Sequence, residues 1–333
     1  MNPTIECTRC RDSKNSDQTH LEYMVPLYKS ASHIEHLFTR ISLLSKSIPI
    51  NSKVTLILDG EDRDIELAIH ENAQILSLDV DIIVLSRNFG VGPALMSGMN
   101  ASESCMTLCF GSDLQEPQEL FEQFVEILSK NKCDIVLGSR VSRDDPFVTR
   151  AGAKLYWWAV RRFINKESPT GGFDVFGINY VARGALCSLP ELNTNITSQI
   201  SWIGFRKQFI EFHRSARIDG KSSWSFMRKV RLFWDSLYGF TNLPVSIVTI
   251  TGLVGTFIFL CLSVATIIGA VGGWLKVPGY ATLLIVSALG NSILLLSIGV
   301  IGNYLSRAFD NSKGRPPYIV ARKFELNQSD EAL

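Results

Sequence analysis

One long stretch of this chain is almost without charge, and that absence constrains the fold more than any motif. Between Ser236 and Ser306 lie 71 residues with a single charged side chain, Lys276. The other 262 residues carry 64 of the 65 charges. A water-soluble domain keeps Lys, Arg, Asp and Glu over most of its surface, so the chain divides into a charged globular part and an apolar part made for another solvent. The averages conceal this. A net charge of +1 with 46% apolar residues is ordinary globular composition. It excludes a disordered chain and a small disulfide scaffold, and it leads us to expect no nucleic-acid partner.

Two apolar segments flank Lys276, roughly 245–271 and 280–305. Each has about 25 residues, enough at about 1.5 Å per residue to cross a hydrocarbon core about 30 Å thick. A buried helical hairpin is the competing reading. The connector GGWLKVPGY (272–280) is a Gly/Pro turn with Trp274 and Tyr280 suited to an interface. Arg228, Lys229 and Arg231 precede the first segment, and Arg307, Lys313, Arg315, Arg322 and Lys323 follow the second. The positive-inside tendency then puts the connector outside and both flanks in the cytoplasm. The expectation is a multi-pass membrane protein whose large N-terminal part is cytoplasmic. Residues 1–20 are polar and carry no apolar signal. The seven cysteines are odd in number and form no disulfide framework, as in a reducing compartment. Cys7 and Cys10 make one C-x-x-C, with His20 ten residues on; a zinc site would want a second pair of ligands nearby.

The charged part reads as alternating strands and helices. EYMVPLY (22–28), KVTLIL (53–58), DIIVLS (81–86), MTLCF (106–110) and DIVLGS (134–139) are strand patterns apolar on both faces. Helical spacing of Ile34, Leu37, Phe38, Ile41 and Leu44, and a helix over 118–130 opened by Pro117, lie between them. This predicts a mostly parallel sheet with helices on both sides. Asp59, Arg87, Asn88, Asp113 and Arg140 all follow strand carboxyl ends, the edge where open α/β sheets bind ligands. Each alone could be a turn or cap residue, and for Asp59 that plainer role is favoured. Beyond Arg140 come a basic, aromatic helix over 149–164 and an amphipathic helix over 223–242. The stripe of Phe226, Val230, Phe233 and Leu237 on the latter suits a membrane interface.

The order PLY, ILDG, SRNFG, SDLQEP, GSR, GKSSWSFMRKVRLF and two apolar segments resembles the polyisoprenyl-phosphate glycosyltransferases. These are inverting family 2 enzymes, among them the bactoprenol glucosyl transferases and dolichol-phosphate mannose synthase. The resemblance implies a GT-A (Rossmann-like) α/β domain, then interface helices and two transmembrane helices, in a bacterial inner membrane. The expected divisions are a polar tail (1–20), a GT-A domain (21–220), an amphipathic interface helix (221–244), a two-span anchor (245–306) and a cytoplasmic tail (307–333). The implied reaction moves a sugar from a UDP- or GDP-linked donor to a polyprenyl (undecaprenyl) phosphate, for cell-surface glycan, lipopolysaccharide or O-antigen modification. A catalytically silent relative that binds nucleotide sugar or membrane partners is the alternative, and homo-oligomerisation is left open.

The resemblance also carries roles. Pro26, Tyr28 and Asp59 match nucleotide-binding strand ends, and Arg87 to Gly90 match the loop shaping the base pocket. Asp113 matches the second aspartate of the D-x-D motif and Gln115 its glutamine, an oxygen set for Mg²⁺ or Mn²⁺. Arg140 and Arg143 match phosphate contacts, while Arg217 and Lys221 would serve the lipid phosphate. Four motif positions depart: Gly111 replaces the first aspartate, Gly172 the aspartate of T-G-D-F, Ser223 the usual lysine, and Lys29-Ser30 the usual Asn-Glu. Asp174, two residues beyond Gly172, is the substitute candidate for the catalytic carboxylate. No Q-x-x-R-W motif of processive synthases is present.

Overall fold

The computed structural model describes residues 20–76, 78–113, 115–140, 173–189, 196–213, 243–272 and 279–326. They form two units, one built on a sheet and the other holding the two apolar helices.

In the sheet unit the elements run β1 (Leu21–Leu27), α1 (Ile34–Ser47), β2 (Ser52–Leu58), α2 (Arg63–Asn72), β3 (Val80–Leu85), α3 (Val91–Ala101), β4 (Met106–Cys109), α4 (Gln118–Ser129) and β5 (Ile135–Arg140). There follow β6 (Phe173–Asn179), α5 (Tyr180–Cys187), α6 (Ile196–Trp202), β7 (Lys207–Phe212) and, near the C-terminus, β8 (Val320–Leu326). The spatial order is β7-β5-β6-β4-β1-β2-β3-β8. Strand β1 pairs in parallel with β2 and β4, β2 with β3, and β5 with β7. Two strands run against the rest: β6 between β4 and β5, and β8 on the outer side of β3. The five strands expected from the sequence are present within a residue or so of their expected bounds. Strands β7 and β8 and helices α2 and α3 gave no comparable signal, and β8 arises from the segment assigned above to a tail.

Side chains alternate along the strands and build a core on each face. Tyr23 and Val25 face Ile34, Leu37, Phe38 and Ile41 of α1 and Phe121 and Phe124 of α4. Met24, Ile57 and Ile83 face Ala94, Leu95 and Met99 of α3 and Leu186 of α5. Tyr23, Phe110, Phe121 and Phe124 form a chain of edge-on rings 5.1–6.3 Å apart. Helix α3 sits close because Gly98 leaves room: a Cβ there would meet Ile57 Cδ1 and Met24 Sδ at 2.8 Å.

The amino ends of the central strands are held by a buried polar network. Glu22, 1% exposed, accepts from Thr55 Oγ1 (2.5 Å), Ser104 Oγ (2.9 Å) and Ser102 Oγ. Arg183 of α5 donates to Ser104 O (2.8 Å), Thr107 Oγ1 (2.7 Å) and Ser102 O (3.0 Å). Farther along this edge Asp134 accepts from Arg206 Nε and Nη2 (both 3.0 Å) and from Asn179 Nδ2 (3.0 Å). Burial alone would raise the Asp134 carboxyl; the Arg206 guanidinium and the surrounding hydrogen bonds outweigh it and hold it below its ordinary value.

The second unit has two long helices that touch each other, α7 (Leu243–Val271) and α8 (Tyr280–Ser312). They occupy the two apolar segments, and α8 runs past Arg307. Among the described residues one stretch, Ile293–Ser312, is long and apolar enough to cross a membrane, and Val245–Gly255 is a shorter apolar stretch.

Two tests follow from this packing. Gly98→Val forces a branched side chain into occupied space, with an expected loss of about 1–3 kcal/mol in urea unfolding. Arg206→Ala removes the partner that depresses Asp134. The stability that partner supplies is present above the unfolded-state pKa of about 3.9 and lost as pH falls through the folded value. The variant therefore has the lower urea midpoint at pH 7, and the gap from wild type narrows as acid is added below about pH 4.

Candidate active site at the strand carboxyl edge

Register decides which residues meet. Strands β1 to β5 all point the same way, so the turns after Leu27, Leu58, Leu85, Cys109 and Arg140 share one edge. Strand β6 begins at that edge, since Phe173 pairs with Ser139 and Phe176 with Cys109. The backbone of Arg140 and Asp174 is therefore brought to the same side as Asp59, Arg87, Asn88 and Asp113. Asp174 is the unpaired residue of a bulge between the Ser139–Phe173 and Gly138–Val175 pairs, an irregularity of the kind common next to active sites. Arg143, Gly172, Arg217, Lys221 and Ser223 lie outside the described residues, as do the expected helices over 149–164 and 223–242.

Pro26 is tolerated inside a central strand for a local reason. Pairing of β1 with β4 stops at Met24–Cys109, and Leu27 O already turns toward β2 to accept from Asp59 N (2.9 Å). The nitrogen of Pro26 faces the β4 side beyond the last pair, where no ladder bond is lost. The next residues leave the sheet: Tyr28 is 53% exposed, Lys29 has φ 50°, and its Nζ lies 5.5 Å from the Tyr28 ring centroid. An exposed aromatic ring beside a cation at a strand end can stack on a flat ligand.

Asp59 is 6% exposed, and its carboxylate is already engaged. Oδ1 accepts from Phe89 N (2.6 Å) and Oδ2 from Gly90 N (2.8 Å). Its first role is therefore the plainer one, a clamp that holds the loop after β3 against the end of β2. An ionised carboxylate has about four lone-pair directions, so two remain for a ligand. The same contact explains two glycines whose turns the sequence displays without showing their purpose. Gly60 (φ +105°) lies so near the Arg87–Asn88 backbone that a Cβ would come within 3.2 Å of Asn88 N. Gly90 (φ +97°) opens α3 with a backbone that L side chains rarely adopt. Arg87 and Asn88 are exposed, and the Arg87 guanidinium lies over the Phe89 ring at 4.8 Å.

Beyond β4, Asp113 is half-buried. Its Oδ1 is 3.1 Å from where a Cβ on Gly111 would stand, so it reaches toward the position of the absent first carboxylate. Gln115 is 5% exposed, and its Oε1 is buried without a hydrogen-bond partner. A buried amide oxygen normally has one. The loop carrying them is tied to α1 by Arg40 Nη2 donating to Glu116 O (2.9 Å), a tie that no sequence signal announced. Among the described residues no three His, Cys, Asp or Glu side chains gather as a metal cluster. One carboxylate and one orphaned amide oxygen still fit Mg²⁺, which is commonly held by one or two carboxylates plus substrate phosphates and water. The arrangement can thus take a flat, phosphorylated ligand: an aromatic ring and a loop of backbone on one side, oxygen donors for a cation on the other.

The Asp59 clamp is testable without any ligand. Asp59→Asn exchanges one accepting oxygen for an amide nitrogen and leaves Phe89 N or Gly90 N unmatched. It should cost about 1–3 kcal/mol, read as a lower melting temperature of the free protein.

Known proteins resemble this chain in sequence and in fold. Residues 24–182 match the family model described as glycosyl transferase family 2. An uncharacterized glycosyltransferase of Synechocystis is 29% identical over 308 residues, covering 90% of this chain and 94% of that protein. The bactoprenol glucosyl transferase of Shigella phage SfV is 27% identical over 305 residues, covering 90% and 97%. Glucosyl-3-phosphoglycerate synthase from Mycobacterium tuberculosis, solved with Mg²⁺ and UDP, shares the fold at TM-score 0.50 with 14% identity, over 66% of this chain and 78% of that one. The parallel sheet, the loaded carboxyl edge and these matches agree: residues 24–182 are a glycosyl transferase family 2 domain of GT-A type, and the chain is a glycosyltransferase.

Proposed function

We propose that this chain is a membrane-bound, inverting enzyme that moves a sugar from a UDP- or GDP-linked donor to a polyprenyl phosphate such as undecaprenyl phosphate. The observation that carries the reading is whole-length similarity. Bactoprenol glucosyl transferases match over 90% or more of this chain and 97% or more of their own, so the likeness extends through the apolar segments as well as the catalytic domain. Two helices of 29 and 33 residues suit a two-span anchor in a bacterial inner membrane with the sheet unit in the cytoplasm. In this reading residues 1–20 are a polar tail, 221–244 hold an amphipathic interface helix, and the basic Arg140, Arg143, Arg217 and Lys221 meet the phosphates.

In this reading Tyr28, Arg87 and Asn88 hold the nucleotide, and Asp59 positions their loop while offering its two remaining lone pairs. Asp113 and Gln115 would hold Mg²⁺ or Mn²⁺, which neutralises charge on the departing nucleoside diphosphate. The attacking group is a phosphate monoester oxygen. Its second pKa is near 6, so at neutral pH it is largely dianionic and hardly needs a general base. What it needs is screening of like charge and in-line placement behind the anomeric carbon. Bond formation there expels the nucleoside diphosphate from the opposite face and inverts the anomeric centre. A carboxylate at position 172 is therefore dispensable for this acceptor as it would not be for a sugar hydroxyl; Asp174, one bulge away, is available to order the acceptor.

Membranes containing the full chain, supplied with labelled nucleotide sugars and undecaprenyl phosphate, should yield a labelled lipid of one added glycosyl unit. Donor binding without product across UDP- and GDP-sugars would favour the silent relative. Asp113→Ala should lower turnover by about 100-fold or more; an unchanged rate would remove Asp113 from the metal role.

A further inference from the structure

The loop after β3 is held at two points. From within the sheet, Asp59 takes Phe89 N and Gly90 N. From the outer side, Ser86 N donates to Ile319 O (2.9 Å), a carbonyl of the segment that leads into β8. Arg87 and Asn88, both exposed, are carried between these fixed points. Ile319 lies far beyond residues 24–182, which match the family model, so the outer hold is not a part of the matched domain.

Covering the side of β3 does not by itself require that bond. Pairing of β8 with β3 runs from Val80–Leu326 to Leu85–Val320, and its register shifts between the last two pairs. Val84 faces Arg322 and Leu85 faces Val320, which leaves Ala321 as the extra residue of a bulge. A bulge bends its strand and re-aims the neighbouring groups. Here the contact continues one residue past β3, onto the first residue of the loop. Arg322, next to the bulge, reaches the turn after β2 and the helix that follows it. Its Nη2 lies 2.7 Å from Glu66 Oε1 on α2, and its Nε lies 4.0 Å from Glu61 Oε1. That turn supports the same loop. Gly60, beside Glu61, is the residue whose Cβ would come within 3.2 Å of Asn88 N. Asp62 caps α2 by accepting from Asp64 N and Ile65 N. One arginine of the C-terminal strand therefore grips the turn against which the donor loop rests.

We infer that residues 319–322 brace the donor loop, with the Ile319 carbonyl and the Arg322 guanidinium as its positioning groups. The inference rests on the reading in which Arg87 and Asn88 hold the nucleotide. A loop already ordered costs less to order when a ligand arrives. If the brace is loosened, the fraction of chains with a competent loop falls, and the apparent Kd rises in inverse proportion. Arg322 acts only through Glu61, Glu66 and the loop. Its side chain is 48% exposed and that of Glu61 67%. Pairs as exposed as this contribute little to global stability, so their loss separates positioning from folding.

The test compares wild type, Arg322→Ala, Arg322→Lys and Lys323→Ala as full-length proteins in detergent. Lys323 is the control, because its Nζ lies 3.7 Å from Asp81 inside β3 and its pair grips neither turn. Hydrogen–deuterium exchange across residues 86–90 of the free protein should quicken about threefold or more in Arg322→Ala and keep the wild-type rate in Lys323→Ala. In titrations with UDP and with GDP, each with Mg²⁺, the Kd of the nucleotide that wild type binds should rise about fivefold in Arg322→Ala. Its melting temperature should fall by no more than about 3 °C. Arg322→Lys keeps a cation but loses the planar fork, and should fall between wild type and Arg322→Ala in both readings. Unchanged exchange across 86–90 in Arg322→Ala would overturn the brace, as would an equal effect of Lys323→Ala. Exchange needs no ligand, so this result stands even where neither nucleotide binds. Arg87→Ala separates the brace from the reading beneath it. If Arg87→Ala weakens nucleotide binding and Arg322→Ala does not, the brace falls. If Arg87→Ala changes nothing, the nucleotide contact of the loop fails instead, and exchange alone decides the brace.

Discussion

Parallel pairing is the constraint on which the rest of the sheet unit depends. Two parallel strands cannot be joined by a tight turn, so each of β1 to β4 returns through a helix. The helices then bury both faces of the sheet, which is why its strands are apolar on both sides. The same geometry sends five strand ends to one edge and leaves that edge lined with loops whose backbone groups need partners. The Asp59 carboxylate meets part of that need by taking Phe89 N and Gly90 N. That edge is ordered from within, by an acidic side chain at the end of the second strand that grips the loop after the third.

The two edges of the sheet are treated differently. At the amino edge, charged and hydroxyl groups are closed on one another: Glu22 with three hydroxyls, Arg183 with two carbonyls and Thr107, and Asp134 with Arg206 and Asn179. Such networks are rigid when each member is satisfied. At the carboxyl edge, polar groups face outward or stay unmatched, as with exposed Arg87 and Asn88 and the orphaned oxygen of Gln115. Apart from the Asp59 clamp, the polar side chains are closed on one another on one side and left open on the other.

Much of this was legible in the sequence because it was written in local patterns. Five doubly apolar strands, the Pro117 helix opening and the run of polar residues after strand ends carried the α/β class and the edge of the site. Asp59 shows where such reading stops. Its position was visible, but its engagement with Phe89 and Gly90 is a contact across thirty residues. Strand β8 was invisible for a related reason: VARKFEL mixes three charged with four apolar residues without strict alternation and lies just after an apolar segment, so its composition resembles a basic tail. Helix α3 was obscured by Gly92, Ser97 and Gly98, which are weak helix formers, although Gly98 allows close approach to the sheet. The backbone of Arg140 and Asp174 is brought to the strand carboxyl edge by strand register alone, which no single-strand pattern encodes.

The closing strand has a consequence for how the protein is made. Strand β8 covers the outer side of β3, yet it is drawn from residues that follow the last apolar helix by only a few positions. A ribosome has delivered β1 to β5, and then both apolar helices, before the strand that seals β3 leaves the exit tunnel. Through that interval the backbone groups of Val80–Leu85 stand unpaired on one side, a template for any other extended segment. Chains truncated after the helices would keep that edge open permanently. The charges on VARKFEL then serve two ends: they keep a late-arriving strand soluble while it waits, and Arg322 reaches back to Glu66 at 2.7 Å once it docks.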